Sequence, residues 1–330
     1  MASTIARLSI GEIRERYAGS KQPVTPQVLA KLKRDSRRGV RQIYDVLKRR
    51  HDRERAERLR LDAMLNFERV LWRSGIERIA GVDEAGTGPL AGPVVAAAVV
   101  FPPHTELFGI DDSKRLDPDQ RAAAEQAIRG VAAAIGVGVA EVEEIDRVNV
   151  YRAALLAMRR AVDALRLPPQ HVLVDARSIP GIAMPQNCFT KGDGIDFSIA
   201  AASIIAKTHR DRLMDELAAR HPGYGFERHK GYGTPEHQDA ICRLGPSPVH
   251  RMSFTFIREL RGEYAAQFYA LKQRLEDAQG HAGLLSFEAE LEARRAALGD
   301  DEQRKLRLML ARRWKTLPLD MRPQRRAAHR

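Results

Sequence analysis

The amino-acid sequence predicts an α/β protein, with a mixed β-sheet flanked by helices and additional helical segments at both ends of the chain. Short apolar runs of strand length alternate with stretches of helix length in the middle of the chain. Both ends are instead dense in Arg, Glu, Lys and Leu and contain few strand-forming residues. The length of 330 residues corresponds to about two average domains, and an apolar content of 44% is enough to fill a sizeable core.

The predicted sheet and its helices lie between residues 78 and 258. Apolar runs predict strands at 79–82, 94–101, 132–142 and 171–174, and amphipathic or small-residue stretches predict helices at 151–165 and 198–220. A turn rich in glycine and proline joins the first two strands as in a hairpin, whereas the later strands alternate with helices. This order predicts one layered α/β domain with a mixed sheet.

Charge divides the chain into three segments. The N-terminal segment, 1–77, holds 19 Lys and Arg against 10 Asp and Glu, and the C-terminal segment, 259–330, holds 15 against 11. The central segment, 78–258, holds 21 against 22, so the net charge of +12 lies at the two ends. A basic surface of this kind fits a nucleic-acid partner, but a solvated helical surface explains it equally well, and composition leaves both interpretations open.

The sequence excludes several other classes of protein. No run of about 18 apolar residues is present, which excludes a membrane-spanning helix, and the N-terminus lacks the apolar core of a secretory signal. The two cysteines, Cys188 and Cys242, form no CxxC motif, so neither a disulfide scaffold nor a cysteine-based zinc site is expected. We therefore expect a cytoplasmic protein without a membrane partner.

Acidic residues stand at the ends of three predicted elements. Asp83 and Glu84 end the first strand, Asp175 ends the strand at 171–174, and Asp193 precedes the small-residue helix. Four carboxylates at one edge would repel each other unless cations neutralise them, and two divalent metals would suit phosphoryl transfer by an activated water. The alternative is that these residues are ordinary polar strand ends and turns, and spacing alone does not decide between the two.

The turn at 86–92, Gly-Thr-Gly-Pro-Leu-Ala-Gly, superficially matches nucleotide-binding loops. It lacks the GK[ST] ending of a Walker loop, and an apolar strand follows it where a dinucleotide-binding loop would open a helix. Both nucleotide interpretations therefore fail. What remains is a loop with small side chains, suited to backbone contacts with a ligand.

Two further groups of polar residues have weaker patterns. Ser203, His209 and Asp211 are spread around one helix and form no catalytic relay, so Ser203 is expected to pack or to offer its hydroxyl group on a crowded helix face. Residues 229–233, His-Lys-Gly-Tyr-Gly, place cations beside an aromatic ring. That combination suits sugar stacking and phosphate contact, but it is also found in capped turns.

Taken together, these segments resemble ribonuclease HII, the type 2 ribonuclease H. The resemblance covers about 78–258 and keeps the order of the family's motifs throughout. The matching stretches are IAGVDEAGTGPLAGPVVAAAVV, DDSKRL (111–116), VDA (174–176), KGD (191–193), SIAAASIIAKTHRDRLM (198–214), YGFERHKGYGT (224–234) and GPSPVHRMSF (245–254).

The resemblance implies a ribonuclease H-like fold and an endonuclease that cuts RNA within RNA–DNA hybrids, leaving 5′-phosphate and 3′-hydroxyl ends. It implies a two-metal site for Mg²⁺ or Mn²⁺, in which Asp83, Glu84, Asp175 and Asp193 are both metal ligands and catalytic residues. The implied partner is an RNA–DNA hybrid duplex, and we expect the enzyme to act as a monomer.

The resemblance also implies a set of substrate contacts. These are Gly86, Thr87, Gly88, Lys114, Ser203 and Tyr232. The glycine-rich turn would contact the ribose 2′-hydroxyl group, which distinguishes RNA from DNA. Tyr232 would stack on the sugar at an RNA–DNA junction, and Lys114 would contact a phosphate.

Two features depart from the family. The family usually carries arginine between the two glycines where this chain has Thr87, and a sister group, ribonuclease HIII, has Gly-Thr-Gly there. Loss of the guanidinium group removes a bidentate phosphate contact, so one alternative is an HIII-like specificity for continuous hybrids only. The other departure is the N-terminal segment, since family members usually start close to the catalytic domain.

A non-catalytic hybrid-binding protein is the remaining alternative, and the intact set of four acids argues against it.

Overall fold

The computed structural model describes residues 5–19 and 24–318, so residues 319–330 of the predicted C-terminal segment lie outside it. The chain forms two compact units, each built from several stretches of sequence. The first consists of Met1–Thr87, Pro93–Glu141 and Val150–Leu213, and the second of Gly88–Gly92, Val142–Asn149 and Met214–Arg330, as far as these are described. The predicted division at 77 and 258 stays a prediction.

The regular elements follow one another in this order. The strands are β1 (Ile79–Ala85), β2 (Val94–Val100), β3 (Ala134–Ala140), β4 (His171–Asp175) and β5 (Gln186–Phe189). The helices are α1 (Ile10–Ile13), α2 (Pro26–Lys33), α3 (Arg38–Met64), α4 (Asn66–Arg73), α5 (Pro118–Val131), α6 (Val142–Val148), α7 (Val150–Asp163), α8 (Phe197–Arg220), α9 (Phe226–His229), α10 (Pro235–Leu244), α11 (Thr255–Leu260), α12 (Ala266–Asp277), α13 (Gly280–Ala293) and α14 (Asp300–Thr316). Short helical turns are Ile5–Arg7, Arg14–Ala18, Gly192–Gly194 and Arg295–Ala297.

The five strands form one mixed sheet in the order β3-β2-β1-β4-β5, which confirms the predicted fold class. β1 pairs antiparallel with β2, and β2 with β3, whereas β1 pairs parallel with β4, and β4 with β5. The predicted strand at 79–82 continues to Ala85, so both acids of its end lie within β1. β5 was not predicted, because its side chains are half-buried or exposed and form no apolar run.

Glycines allow helices to lie directly on both faces of the sheet. On one face, a Cβ atom added to Gly138 of β3 would lie 2.1 Å from the carbonyl oxygen of Ala157 in α7. On the opposite face, a Cβ atom added to Gly81 of β1 would lie 2.0 Å from the backbone carbon of Ser198 in α8. Such approaches leave no room for a side chain, so the sheet is enclosed between two layers of helices.

The N-terminal segment has a small core of its own and also joins the main core. The small core lies between α1, α2 and the first half of α3 and consists of Ile5, Ile13, Val24, Leu29, Leu32, Val40, Ile43 and Leu47. At the other end of α3, Leu61 and Met64 pack in the cluster formed by α8 and the strands. In α4, the buried carboxylate of Glu68 accepts hydrogen bonds from the backbone N–H (3.1 Å) and the hydroxyl group (2.7 Å) of Ser198.

The second unit contains two apolar clusters. One joins α9, α10 and the end of α8, and includes Met214, Tyr224, Phe226 and Ile241. The other lies between α12, α13 and α14 and consists of Tyr264, Phe268, Leu271, Leu275, Leu284, Phe287, Leu291, Leu298, Leu306, Leu310 and Trp314. None of the helices in the described part of the chain has the length and apolar character needed to span a bilayer.

The close approach at Gly138 leads to a prediction about stability. Gly138→Ala places a methyl group against the backbone of α7, so we expect a loss of about 1–3 kcal/mol in the free energy of unfolding and a melting temperature several degrees lower. Gly130→Ala is the matched control, because a Cβ atom at this position in α5 would have no neighbour within 4 Å among the described residues, apart from the adjacent residues and the backbone of its own helix. That variant should match the wild type or exceed it slightly. Equal melting temperatures for both variants in calorimetry would contradict the proposed packing.

Candidate active site

The parallel pairing of β1 with β4 brings the carboxyl ends of the two strands to the same edge of the sheet. Asp83 and Glu84 lie near the end of β1, and Asp175 is the last residue of β4. One carboxylate oxygen from each of these three residues lies within 4.8 Å of the others. The structure therefore brings together three of the four acids that the sequence singled out.

Asp83 is the most deeply buried member of this group, with 3% of its surface exposed. Its pKa lies well above the ordinary value, because burial disfavours the charged form and because Glu84 and Asp175 repel it. A hydrogen bond from the hydroxyl group of Ser203 and one from the backbone N–H of Glu84 to Oδ1 (2.7 Å) offset part of this rise.

The other two carboxylates are held in a similar environment. Burial and the charge of Asp175 raise the pKa of Glu84, against the attraction of Arg177. Burial also raises the pKa of Asp175, although its Oδ1 accepts a hydrogen bond from the backbone N–H of Gly192 (2.6 Å). Glu84 Oε2 is buried and has no hydrogen-bond partner within the described part of the chain. Hard carboxylate oxygens that repel one another fit a divalent cation such as Mg²⁺ or Mn²⁺.

Asp193, the fourth acid, is not part of this group of three. It is buried in the turn Gly192–Gly194, and its Oδ2 accepts a hydrogen bond from Nζ of Lys114 at 2.9 Å. Burial lowers the pKa of Lys114, but the hydrogen bond to Asp193 and the surrounding acidic charges outweigh it, so the pKa lies above its ordinary value. The side chain of Lys114 is 75% exposed, so its ammonium group is accessible at the edge of the site.

Ser203 lies behind Asp83, within α8. Its side chain is buried, and its Oγ lies 2.9 Å from Oγ of Ser113 in the loop that carries Lys114. The same hydroxyl group lowers the pKa of Asp83 by a hydrogen bond. These contacts match the expectation of a hydroxyl group offered on a crowded helix face, and the substrate contact expected of Ser203 stays a prediction.

The turn after β1 is held by a buried arginine that the sequence analysis did not single out. Gly86 has φ +92°, and a Cβ atom added there would lie 2.0 Å from Nε of Arg210. Arg210 is 1% exposed and donates a hydrogen bond from Nε to the carbonyl oxygen of Pro93 (3.0 Å). Thr87, next in the chain, is half-buried. An arginine in a helix of small apolar residues was the signal available in the sequence.

Gly88 and Tyr232, two of the predicted substrate contacts, belong to the second unit. A Cβ atom added to Gly88 would lie 3.6 Å from Cε1 of Tyr232, so the two residues are neighbours. Tyr232 is 45% exposed, which leaves its ring accessible for stacking.

A further group of residues, in α3, holds the loop that leads to Lys114. Glu57 and Arg60 form a two-bond ion pair with both N–O distances at 2.7 Å. Arg60 Nη2 donates to the carbonyl oxygen of Ile110 (2.5 Å), and Glu57 Oε1 accepts from the backbone N–H of Gly109 (3.2 Å). The sequence shows only two opposite charges three residues apart on a helix, a common surface pattern, so this role could not be predicted.

The comparisons with known families agree with this arrangement. The model of the family "Ribonuclease HII" matches residues 80–257, which include all four acids. A separate model, "Ribonuclease HII N-terminal domain", matches residues 9–72. The N-terminal segment is therefore found in this family and is no departure from it.

Individual relatives cover most of the chain. A protein named ribonuclease HII from Anaeromyxobacter sp. (strain Fw109-5) is 49% identical over 78% of this chain and 82% of its own length. A second, from Myxococcus xanthus (strain DK1622), is 48% identical over 79% of this chain and 90% of its own length. The crystal structure of the ribonuclease H2 from Pyrococcus horikoshii OT3 aligns with 56% of this chain and 98% of its own, at 26% identity and a TM-score of 0.49.

The family model spans more than half of the chain, and the two relatives are 49% and 48% identical over more than three quarters of it. The cluster of carboxylates lies within the matched residues. The chain therefore belongs to the ribonuclease HII family and is a ribonuclease H, an endonuclease for the RNA strand of RNA–DNA hybrids.

Proposed function

We propose that the enzyme works by two-metal-ion catalysis, cuts at ribonucleotides embedded in DNA as well as in continuous hybrids, and leaves 5′-phosphate and 3′-hydroxyl ends. The observation that carries the proposal is the group of Asp83, Glu84 and Asp175, whose carboxylate oxygens lie within 4.8 Å of one another. Carboxylates held this close at a buried edge are costly unless cations neutralise them. The same cations are suited to phosphodiester hydrolysis.

The residues of the site divide the work between them. Divalent cations held by the three clustered carboxylates and Asp193 would supply a bound water of lowered pKa and would neutralise charge at the scissile phosphate. The protein holds the carboxylates in place before substrate arrives. The hydroxyl group of Ser203 orients Asp83, and the backbone N–H of Gly192 orients Asp175. Fixed ligands of this kind need no rearrangement during the reaction.

Lys114 is assigned to a phosphate of the bound duplex. Its ammonium group is exposed and lies 2.9 Å from Asp193 Oδ2. A flexible ammonium group can exchange a carboxylate partner for a phosphate oxygen. Lys114 thus balances the charge of Asp193 in the free enzyme and can contact the substrate in the complex.

Recognition of RNA is assigned to the turn at 86–88 and to Tyr232. The turn would contact the 2′-hydroxyl group of the ribose, and the exposed ring of Tyr232 would stack on the sugar at a junction. Thr87 supports an alternative in which only continuous hybrids are cut, because threonine cannot replace the bidentate phosphate contact of arginine. Ribonuclease activity at both kinds of substrate is nevertheless the proposal that the complete set of acids and Tyr232 supports.

The basic flanks are assigned to non-specific binding of duplex phosphates. Arg49 and Arg53 lie one turn apart on α3 and are exposed, and within the described residues their Nε atoms donate hydrogen bonds to backbone carbonyl groups of their own helix. Their charges are thus available to an anionic partner.

We further propose that the enzyme acts as a monomer in the cytoplasm, in DNA replication and repair. Both cysteines are free thiols in the described structure, Cys188 and Cys242, and both are exposed. Exposed free thiols fit a reducing compartment.

The first prediction from the proposed function concerns cleavage. The wild type should cut two labelled duplexes, one with a single ribonucleotide in DNA and one with a continuous RNA strand on DNA, in Mg²⁺ and in Mn²⁺. Asp83→Asn removes a metal ligand, so we expect at least about a hundredfold loss of rate on both duplexes. Asp163→Asn, an exposed acid on α7, is the control and should cut like the wild type. Cleavage is measured by gel electrophoresis of the labelled strands.

Other outcomes of this experiment separate the alternatives. Cleavage of only the continuous hybrid would establish the HIII-like specificity that Thr87 suggests. Cleavage of neither duplex, with binding retained, would establish the non-catalytic hybrid-binding protein. An unimpaired Asp83→Asn variant would refute the assigned site.

The second prediction concerns metal and stability. Because the pKa of Asp83 is raised, ionised Asp83 opposes folding at neutral pH, and Asp83→Asn should melt above the wild type in EDTA. Mn²⁺ at about 100 times its Kd should stabilise the wild type by about 2.7 kcal/mol and the variant by much less. Differential scanning calorimetry tests this reversal in the order of the melting temperatures between EDTA and Mn²⁺. Asp163→Asn should not show the reversal. Equal stabilisation of wild type and Asp83→Asn by Mn²⁺ would count against a metal site here.

The third prediction concerns the basic surface of α3. Replacement of Arg49 and Arg53 by Gln should weaken hybrid binding and reduce the slope of log K against log salt by up to about two, since each phosphate contact contributes about 0.9. Arg159→Gln with Arg166→Gln, an exposed pair on and after α7, is the control of equal charge. Fluorescence anisotropy from low to high salt gives the slopes. Deletion of the whole segment is avoided because Leu61 belongs to the main core. Identical slopes for the two double variants would favour a merely solvated helix.

A further inference from the structure

Three histidines lie together in the second unit, close to the turn that carries Tyr232. His237 and His250 have no exposed surface (0%), and the ring of His229 stacks on that of His237 with centroids 4.3 Å apart. Phe226 packs edge-on against His237, with centroids 5.4 Å apart. Imidazole rings in such an environment are costly unless their nitrogens are hydrogen-bonded.

The partners of His237 determine where its proton lies. Nδ1 of His237 is 2.9 Å from the carbonyl oxygen of Tyr232. A carbonyl oxygen can only accept, so Nδ1 carries the proton and donates it. Nε2 of the neutral ring is then an acceptor, and it lies 3.1 Å from Nε2 of His250. His250 must therefore donate from Nε2.

The contacts of His250 with Ser247, at the other end of this series of hydrogen bonds, independently indicate the same protonation of His250. The backbone N–H of Ser247 lies 2.9 Å from Nδ1 of His250, and the hydroxyl group of Ser247 lies 2.8 Å from the same atom. A backbone N–H can only donate, so Nδ1 of His250 is an acceptor and the proton of this ring lies on Nε2. The hydrogen bonds thus run in one direction, from Ser247 through His250 and His237 to the carbonyl oxygen of Tyr232.

This chain of hydrogen bonds accommodates one proton on the ring of His237 and one on the ring of His250, and no more. A second proton on either His237 or His250 would place two donors face to face. Burial and repulsion by the neighbouring histidines lower the pKa of each to about 4. The titratable groups that act on His237 include His229 and Glu236, and those that act on His250 include His221 and His229. Both rings are therefore neutral at physiological pH.

The chain of hydrogen bonds ends at the carbonyl oxygen of Tyr232, and further hydrogen bonds hold the backbone there. The carbonyl oxygen of Tyr232 also accepts from the backbone N–H of Thr234 (2.8 Å), and the N–H of Tyr232 donates to the carbonyl oxygen of His229 (2.9 Å). Gly231, with φ +83°, donates from its N–H to Nδ1 of His229 (3.2 Å). The backbone around Tyr232 is thus fixed, while its ring stays exposed.

We infer that Ser247, His250 and His237 form a positioning chain that fixes the backbone of Tyr232 and thereby holds its ring in the orientation that recognises the ribose at an RNA–DNA junction. The inference rests on the proposed role of Tyr232 in substrate binding. None of the three residues is assigned to touch the substrate, so they act through Tyr232 as positioning residues.

The tautomers are tested directly on the unmodified full-length chain. Long-range ¹H–¹⁵N NMR correlations of the imidazole rings at pH 7 should show His237 protonated on Nδ1 and His250 protonated on Nε2. His237→Asn and His250→Gln assign the two signals. The opposite tautomer for either ring, or a charged ring at pH 7, would overturn the inference.

A double-mutant cycle tests the link to Tyr232 on the duplex with a single ribonucleotide. His237→Leu removes the donor to the carbonyl oxygen of Tyr232, and we expect kcat/KM to fall about tenfold, mainly through KM. His237→Asn keeps an N–H near the position of Nδ1 and should restore most of the activity. In the Tyr232→Ala background, His237→Leu should have no further effect. His281→Asn is the control and should match the wild type, because His281 lies on α13, outside this chain of hydrogen bonds.

The possible results separate the inference from the function on which it rests. A full additional loss from His237→Leu in the Tyr232→Ala background would mean that His237 acts on general stability, which overturns the inference and leaves the role of Tyr232 intact. Unchanged cleavage by Tyr232→Ala alone would refute the role of Tyr232 itself, and the inference with it. Equal activity of folded His237→Leu and wild type would also overturn the inference.

Discussion

Repulsion among the carboxylates at the ends of β1 and β4 is the constraint that shapes the site. Parallel strands necessarily end at one edge, and here that edge carries Asp83, Glu84 and Asp175. The surrounding structure stabilises this charge in part, with a hydroxyl group on Asp83 and a backbone N–H on Asp175. The remainder leaves the pKa values raised, and a group of carboxylates in this state could bind a divalent cation.

Small residues make this arrangement possible. A helix can press on β1 only where the strand has no side chain, and Gly81 allows α8 to approach to within backbone contact. The same helix then delivers Ser203 to Asp83 and Arg210 to the turn at Gly86. One close helix–strand contact therefore connects the core of the fold to the carboxylates and to the glycine-rich turn.

The N-terminal segment takes part in the same architecture. Its helix α3 holds the loop before Lys114 through Glu57 and Arg60, and Glu68 of α4 binds Ser198 in the first turn of α8. Exposed arginines lie on another part of α3. The segment therefore combines a structural contribution to the site with a basic surface. Substitutions of the exposed arginines can test the basic surface without changing the residues that support the site.

The sequence by itself determined the fold class, the strands with apolar runs and the family, because periodicity and motif order are local properties of the chain. It also singled out four acids as candidates for the site. It could not reveal β5, whose residues at the sheet edge are half exposed and follow no apolar pattern. The tertiary structure decided which acids converge: Asp83, Glu84 and Asp175 meet because β1 lies beside β4, whereas Asp193 pairs with Lys114. It also decided the protonation of the buried histidines, since that depends on which ring nitrogen meets a donor and which meets an acceptor, and the order of residues does not specify these contacts.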